Sequence, residues 1–272
     1  MARAKIYHKG NRMKSIKNFW MIMDYQTVIV TLLALGSTYF CRVFGFQANM
    51  PTALISVAII FPIVFSINAA YRRREEALKY FASLKAHSVS LYFTHKHWAP
   101  KDKEAHGARA KILFESLFKA AGTYFAADEA DKDQEFQNFY KAVADISASH
   151  EQLRADGLPG NEVSRANQYL RAIMIEFERM KNILEYRTPV LLRAYSQIFL
   201  NSFPILFGPY FAHVIDKSYA VVGYGIAIVY SLVLVSLDNI QEHLENPFDQ
   251  GCEDDVDLDV FDPYGKMMSS DL

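Results

Sequence analysis

Four long stretches of this chain carry no Asp, Glu, Lys or Arg: residues 25–41, 43–71, 194–215 and 218–237. A helix needs about 20 apolar residues to cross a bilayer core about 30 Å thick. Three of the stretches reach that length outright. The first reaches it once Asp24 and Arg42 at its edges extend their charges toward the headgroups. Such runs exclude a purely soluble fold and predict four membrane helices, with a charge-rich segment between the second and the third. The 20 Phe and 16 Tyr suit membrane helices and their interfacial belts.

The net charge is −1, a balance that implies no nucleic-acid partner. Its local distribution sets a topology. Arg3, Lys5, Lys9, Arg12, Lys14 and Lys17 precede the first stretch with no acid among them, and Arg72, Arg73 and Arg74 follow the second. The short connections near 45–49 and 216–217 carry no basic excess. The positive-inside rule therefore expects a multi-pass integral membrane protein with both termini and the 72–193 segment inside. Residues 1–18 have no apolar run to serve as the core of a secretory signal. Cys41 and Cys252 fall on opposite sides in this topology, so no disulfide is expected.

Apolar residues in the inner segment recur at helical spacing: Ile112, Leu113, Leu117, Phe118, Ala121, Phe125; Phe136, Phe139, Tyr140, Val143, Ile146; and Val163, Ala166, Leu170, Ile173, Phe177, Met180, Leu184. Breaks are expected at Ala99-Pro100, at the acidic turn 128–133 and at Asp156-Gly157-Leu158-Pro159-Gly160, with Asn161 as the N-cap of the last inner helix. The fold class is all-α. A basic inner segment (1–18) leads to spans one and two (19–71), an inner helical domain (72–187), spans three and four (188–240) and an acidic inner tail (241–272). Pro62, Pro204 and Pro209 lie within spans, where kinks or breaks are tolerated if neighbours satisfy the freed backbone.

Enzyme motifs are missing. There is no phosphate-binding Gly loop, nucleophile elbow or Cys cluster, and Gly223-Tyr224-Gly225 sits within a span, where close helix packing explains it. His95, His97 and His106 lie in a Lys-rich stretch and read as structural or solvated residues. Val57, Phe61 and Phe65 are spaced by four and share one helix face in span two. That stripe either packs on lipid or a neighbouring span, or rings an axis in several copies as a constriction that excludes water. The acidic tail lacks the Gly and closing Glu of an EF-hand loop.

The stretch from Asn68 through Ala69-Ala70-Tyr71-Arg72-Arg73-Arg74-Glu75-Glu76 to Ala77 resembles a segment of bestrophin-like channels, with Arg74 and Glu75 standing where that family has a Trp pair. Thr188-Pro189 with Tyr195-Ser196-Gln197 is similar to the approach to the family's third span, and Glu245-Asn246-Pro247-Phe248 with the acids after it to the signature beyond its last span. The resemblance implies a homopentamer around one central pore, four spans per chain and a large inner helical bundle. The implied function is passive flux of chloride or bicarbonate, in a plasma or thylakoid membrane. By position it places a pore neck at Val57, Phe61 and Phe65 and an inner aperture at Asn161, Glu162, Val163 and Ser164. Arg72, Arg73 and Arg74 read either as an interfacial anchor or as vestibule charge that draws anions to the inner mouth. In animal members the acidic run helps clasp calcium. Asn246, Asp254, Asp255 and Asp257 are the corresponding weak candidates here, but His243 replaces the usual amide and about three extra residues precede the main acidic cluster, so no cofactor is expected to be required.

Two other classes stay open at this point: a membrane scaffold that recruits a soluble partner through the inner domain, and an anion carrier. A carrier is expected to show inverted repeats or a charge buried within its spans, and neither is present.

Overall fold

The computed structural model describes residues 24–186, 190–217, 219–250, 255–258 and 261–269. Helix is the only regular element among them: α1 (Tyr25–Val43), α2 (Thr52–Trp98), α3 (Lys103–Ala126), α4 (Lys132–Ala155), α5 (Gly160–Glu185), α6 (Val190–Leu206), α7 (Gly208–Lys217), α8 (Ala220–Glu245) and α9 (Phe261–Ser269). The chain divides into two units. One comprises Met1–Tyr71 with Thr188–Glu245, the other Arg72–Arg187 with Asn246–Leu272. The basic residues of 1–18 and the Thr188-Pro189 pair lie outside the described residues.

In the first unit, α1 packs against α6, α7 and α8. Asp24 caps α1 by accepting the Tyr25 N–H at 2.5 Å. Val30, Ile63, Leu200, Phe203, Phe207, Phe211, Ala227, Leu234 and Val235 form the core. Among the described residues three helical stretches are long and apolar enough to cross a membrane: Tyr25–Val43, Gln197–Asp216 and Ala220–Glu245. The second apolar stretch becomes the start of α2, which runs through Pro62 without interruption. The third is divided instead, between α6 and α7 at Phe207.

That division has a local cause. Pro209 has no N–H to return to the carbonyl four residues earlier, which frees the oxygen of Ile205. The Ser37 hydroxyl, from α1, donates to that oxygen at 3.4 Å. It comes so close because Gly208 has no side chain: a Cβ there would lie 2.1 Å from Ser37 Oγ. Gly223 serves the α7–α8 contact in the same way, since a Cβ would meet Ile215 Cγ1 at 2.2 Å. Gly225 faces open space, so only the first glycine of the pair is needed for packing. The loop after α1 is tied to α7 by Gln47 Nε2, which donates to Asp216 Oδ2 at 2.6 Å.

The second unit is built around aromatic rings. Phe139 and Phe177 stack with centroids 3.5 Å apart, and Tyr124, Phe125, Phe136 and Tyr140 surround Phe177. Phe248, from the Asn-Pro-Phe segment, stacks on Phe125 at 4.6 Å. α4 ends where Gly157 adopts φ 105, and the Leu158 N–H reaches back to the Leu153 carbonyl at 3.0 Å. This left-handed termination also brings Leu158 onto Leu153 in a small apolar cluster.

One sequence expectation changes. The N-cap of α5 is Pro159, whose extended backbone lets its carbonyl accept the N–H groups of Glu162 and Val163 at 3.0 and 3.1 Å. Asn161 therefore lies inside the first turn and donates to Glu162 at 3.4 Å. α8 runs on to Glu245 and stops ahead of Pro247, which disfavours α-helical backbone at Asn246.

Candidate functional site

The candidate neck residues stand on the uncovered side of α2. Val57, Phe61 and Phe65 are 61%, 60% and 55% exposed, whereas Ile63, Ser66 and Ala70 on the other side are buried. The Phe61 and Phe65 rings meet edge to face with centroids 4.6 Å apart. Each ring thus holds its neighbour one turn away, in a geometry that aromatic quadrupoles favour. Val64 and Tyr71 are also exposed, so the outward face of this helix is broad and apolar.

The three arginines after the neck have different surroundings. Arg72 is exposed. Arg73 donates through one guanidinium nitrogen to the Tyr186 carbonyl at 2.5 Å and through the other to the Ile183 carbonyl. It thereby satisfies oxygens that the last turn of α5 leaves without helical partners, at the negative end of that helix's dipole. Arg74 pairs with Glu75 at 2.7 Å. Two of the three cations are engaged within the unit, and the exposed positions nearby alternate in sign, Arg72 and Lys79 against Glu75 and Glu76.

The proposed aperture segment also separates. Val163 is 6% exposed and packs with Ala99, Leu153 and Leu158, so its side chain faces the core of its own unit. Asn161 and Ser164 remain exposed on the first turns of α5. Glu162 bonds Arg165 at 3.0 Å, and the Arg165 guanidinium lies 4.9 Å from the Trp98 ring centroid.

Of the metal candidates, Asp254 lies outside the described residues. Asn246 Oδ1 accepts the Phe248 N–H at 3.4 Å, and Asp255 and Asp257 flank Val256, whose N–H donates to the Pro247 carbonyl at 2.8 Å. Asn246 and Asp249 line a cavity of about 300 Å³ together with Asp128, Glu129 and Lys132. Lys132 bonds Glu129 there at 2.7 Å. Among the described residues no three His, Cys, Asp or Glu side chains converge as a metal would require.

The histidines noted in the sequence do different things. His97 stacks on Phe93 with centroids 5.5 Å apart, and His106 Nε2 lies 2.8 Å from Asp156 Oδ2. His95 is buried and meets Ser149 and His150 of α4, partners that sequence spacing gave no reason to join to it.

No family model matches the chain, and no curated protein matches it. Solved structures do. One point mutant of a bacterial Bestrophin homolog from Klebsiella pneumoniae is 15% identical, at a TM-score of 0.72 over 90% of this chain and 95% of that one. A second point mutant of the same homolog is also 15% identical, with a TM-score of 0.69 over 90% and 96%. A third structure, described only as a mutated membrane protein, is 13% identical, with a TM-score of 0.72 over 90% and 95%. Agreement of this extent at such low identity is agreement of backbone path, and it accompanies three helices of membrane-spanning length and composition. The chain is an integral membrane protein with the bestrophin-like fold.

Proposed function

We propose that this chain is the subunit of a homopentameric, passive anion channel whose neck is lined by Val57, Phe61 and Phe65. One observation carries the reading: in the isolated chain these three side chains are uncovered along a single face of α2, while the same helix buries Ile63, Ser66 and Ala70. Five copies around an axis turn each position into an apolar ring, and the rings follow one another about 6 Å apart. A ring too narrow for stable water presents a dehydration barrier, and Phe edges carry the positive part of the ring quadrupole, which favours an anion over a cation. Chloride and bicarbonate are the proposed permeant ions, both termini are placed inside, and no cofactor is required. Of the basic run, Arg72 is the residue left to draw anions to the inner mouth.

The test is current through wild type and a Val57→Ala, Phe61→Ala, Phe65→Ala variant in planar bilayers, beside the mass of each particle in detergent. The expected result is a pentamer in both cases, with anion conductance several-fold higher in the variant. Equal conductance would place the stripe against lipid or another span. A stable monomer or dimer would remove the pore altogether.

A further inference from the structure

We propose that His95, Ser149, His150 and Asn167 form an acid-sensitive joint in the second unit, holding α2, α4 and α5 together while both imidazoles are neutral and releasing α4 when they are charged. The inference is independent of the channel reading. His95 and His150 are each 1% exposed, with ring centroids 5.3 Å apart. His95 Nδ1 lies 2.9 Å from the Leu91 carbonyl and its Nε2 2.8 Å from Ser149 Oγ. The Ser149 hydroxyl donates to the Ile146 carbonyl at 2.6 Å. Three short contacts therefore share two protons when His95 is neutral, and whichever tautomer forms, one contact lacks its hydrogen. A proton from solvent would complete all three. It would also bury a cation beside the ring of His150.

His150 cannot balance that charge. Its Nδ1 lies 2.7 Å from Asn167 Oδ1 and is the donor of that bond, while its Nε2 is buried without a hydrogen-bond partner among the described residues. Once protonated, Nε2 would carry a hydrogen with no acceptor in reach. The charged groups facing the pair are largely unhelpful. α3 presents His106 and Arg109, α4 presents Glu151 at its surface, and the nearby Asp156 carboxylate is engaged by His106; α5 contributes the uncharged Asn167. Burial, with the neighbouring His150, His106 and Arg109, pushes His95 down to about 4, and burial lowers His150. Because the closed state binds protons only well below the ordinary 6.5 of a released imidazole, the joint is fully closed above that pH and loosens as pH falls from there toward about 4.

The experiment is hydrogen exchange of the full chain in detergent between pH 7.5 and 5, read by mass spectrometry over α4 and corrected for intrinsic exchange. Below pH 6.5 the opening ratio of α4 should rise as pH falls, by up to about tenfold per pH unit from His95, with a further factor from His150. His95→Gln should remove one of these factors, and adding His150→Gln should remove the other. Equal pH slopes in wild type and the double variant would overturn the joint. If the double variant does not fold, exchange at the histidine C2 positions of wild type decides. His95 and His150 should both titrate below the ordinary 6.5 of a released imidazole, and titration of both at that value would refute the proposal.

Discussion

The two units of this protein invert each other's pattern. In the first, Val28, Ile29, Leu32, Phe61 and Val229 face outward, while Thr27, Thr38, Ser66 and Ser231 lie inside. The interior hydroxyls of Thr38 and Ser231 return to their own helices, donating to the Ala34 and Ala227 carbonyls at 2.6 and 2.8 Å. In the second unit the rings are inside, and much of the surface is laced with pairs such as Glu162–Arg165 and Lys181–Glu185, each at 3.0 Å. Burying apolar area drives assembly only where the alternative is water. Against lipid tails that gain is absent, and helices associate through close contact and scattered hydrogen bonds. The pattern therefore reports which solvent each unit meets.

The largest test of this contrast removes a ring from each unit. Phe177 is fully buried and touches five aromatic neighbours, so Phe177→Ala should destabilise the inner bundle by about 3–5 kcal/mol, read as a lower thermal midpoint and loss of near-UV dichroism. Phe61→Ala deletes the same group from an exposed site and should leave the midpoint within about 0.5 kcal/mol of wild type. Equal losses from the two would mean that the first unit also depends on aromatic burial.

A smaller effect is expected from closing a gap between helices. Gly208→Ala would drive a methyl into Ser37 and push the hydroxyl away from the Ile205 carbonyl that Pro209 leaves open, at a cost of about 1–3 kcal/mol. Thermal unfolding in detergent measures the loss, and Ser37→Gly should recover most of the steric part. Gly225→Ala, in open space on α8, should be neutral or slightly stabilising, since alanine is the better helix former by roughly 1 kcal/mol. Similar penalties at both glycines would show that helix flexibility matters there rather than close approach.

Arg73→Gln probes an arginine of the run that closes a helix end. Losing its two bonds to the last turn of α5 should cost about 1–2 kcal/mol and raise amide exchange around residues 183–186, whereas Arg72→Gln at an exposed site should leave both unchanged. If Arg72→Gln proves the more damaging, the capping role assigned to Arg73 is wrong.

What could be read in advance follows from what hydropathy and periodicity encode. The charge-free runs and the 3.6-residue recurrence of Phe139, Val143 and Ile146 report burial along one element, so helices and their breaks at Ala99-Pro100 and Asp156-Gly157 were visible. Partners far along the chain were not. Arg73 and the Ile183 carbonyl are 110 residues apart, and nothing in an arginine triplet says which member turns inward. The apolar character of Val163 suited an aperture and a core equally well, and only the left-handed reversal at Gly157 places it against Leu153. Pro209 marked the third stretch as a place for a kink or break, but Pro62 and Pro204 carry the same signal and stay inside helices, so the sequence did not single out Phe207.

The smallest expected effect concerns calcium. Anion flux by the reconstituted protein should be the same, within error, in a strong chelator and in micromolar calcium. The acidic tail invites the opposite expectation, since carboxylates this dense attract cations. A clasp, however, needs several oxygens held at a common distance of about 2.3–2.6 Å. Asn246 directs its side-chain oxygen to the Phe248 N–H, and that turn is held in place by Phe248 itself, buried against Phe125. Re-aiming the amide toward a metal would mean reopening a turn anchored in the aromatic core of the second unit. Loose, diffuse binding by Asp255 and Asp257 would leave the turn intact and the flux unaltered. Flux abolished by chelation and restored by micromolar calcium would show that the turn does reopen, and that the tail and the aromatic core are energetically coupled.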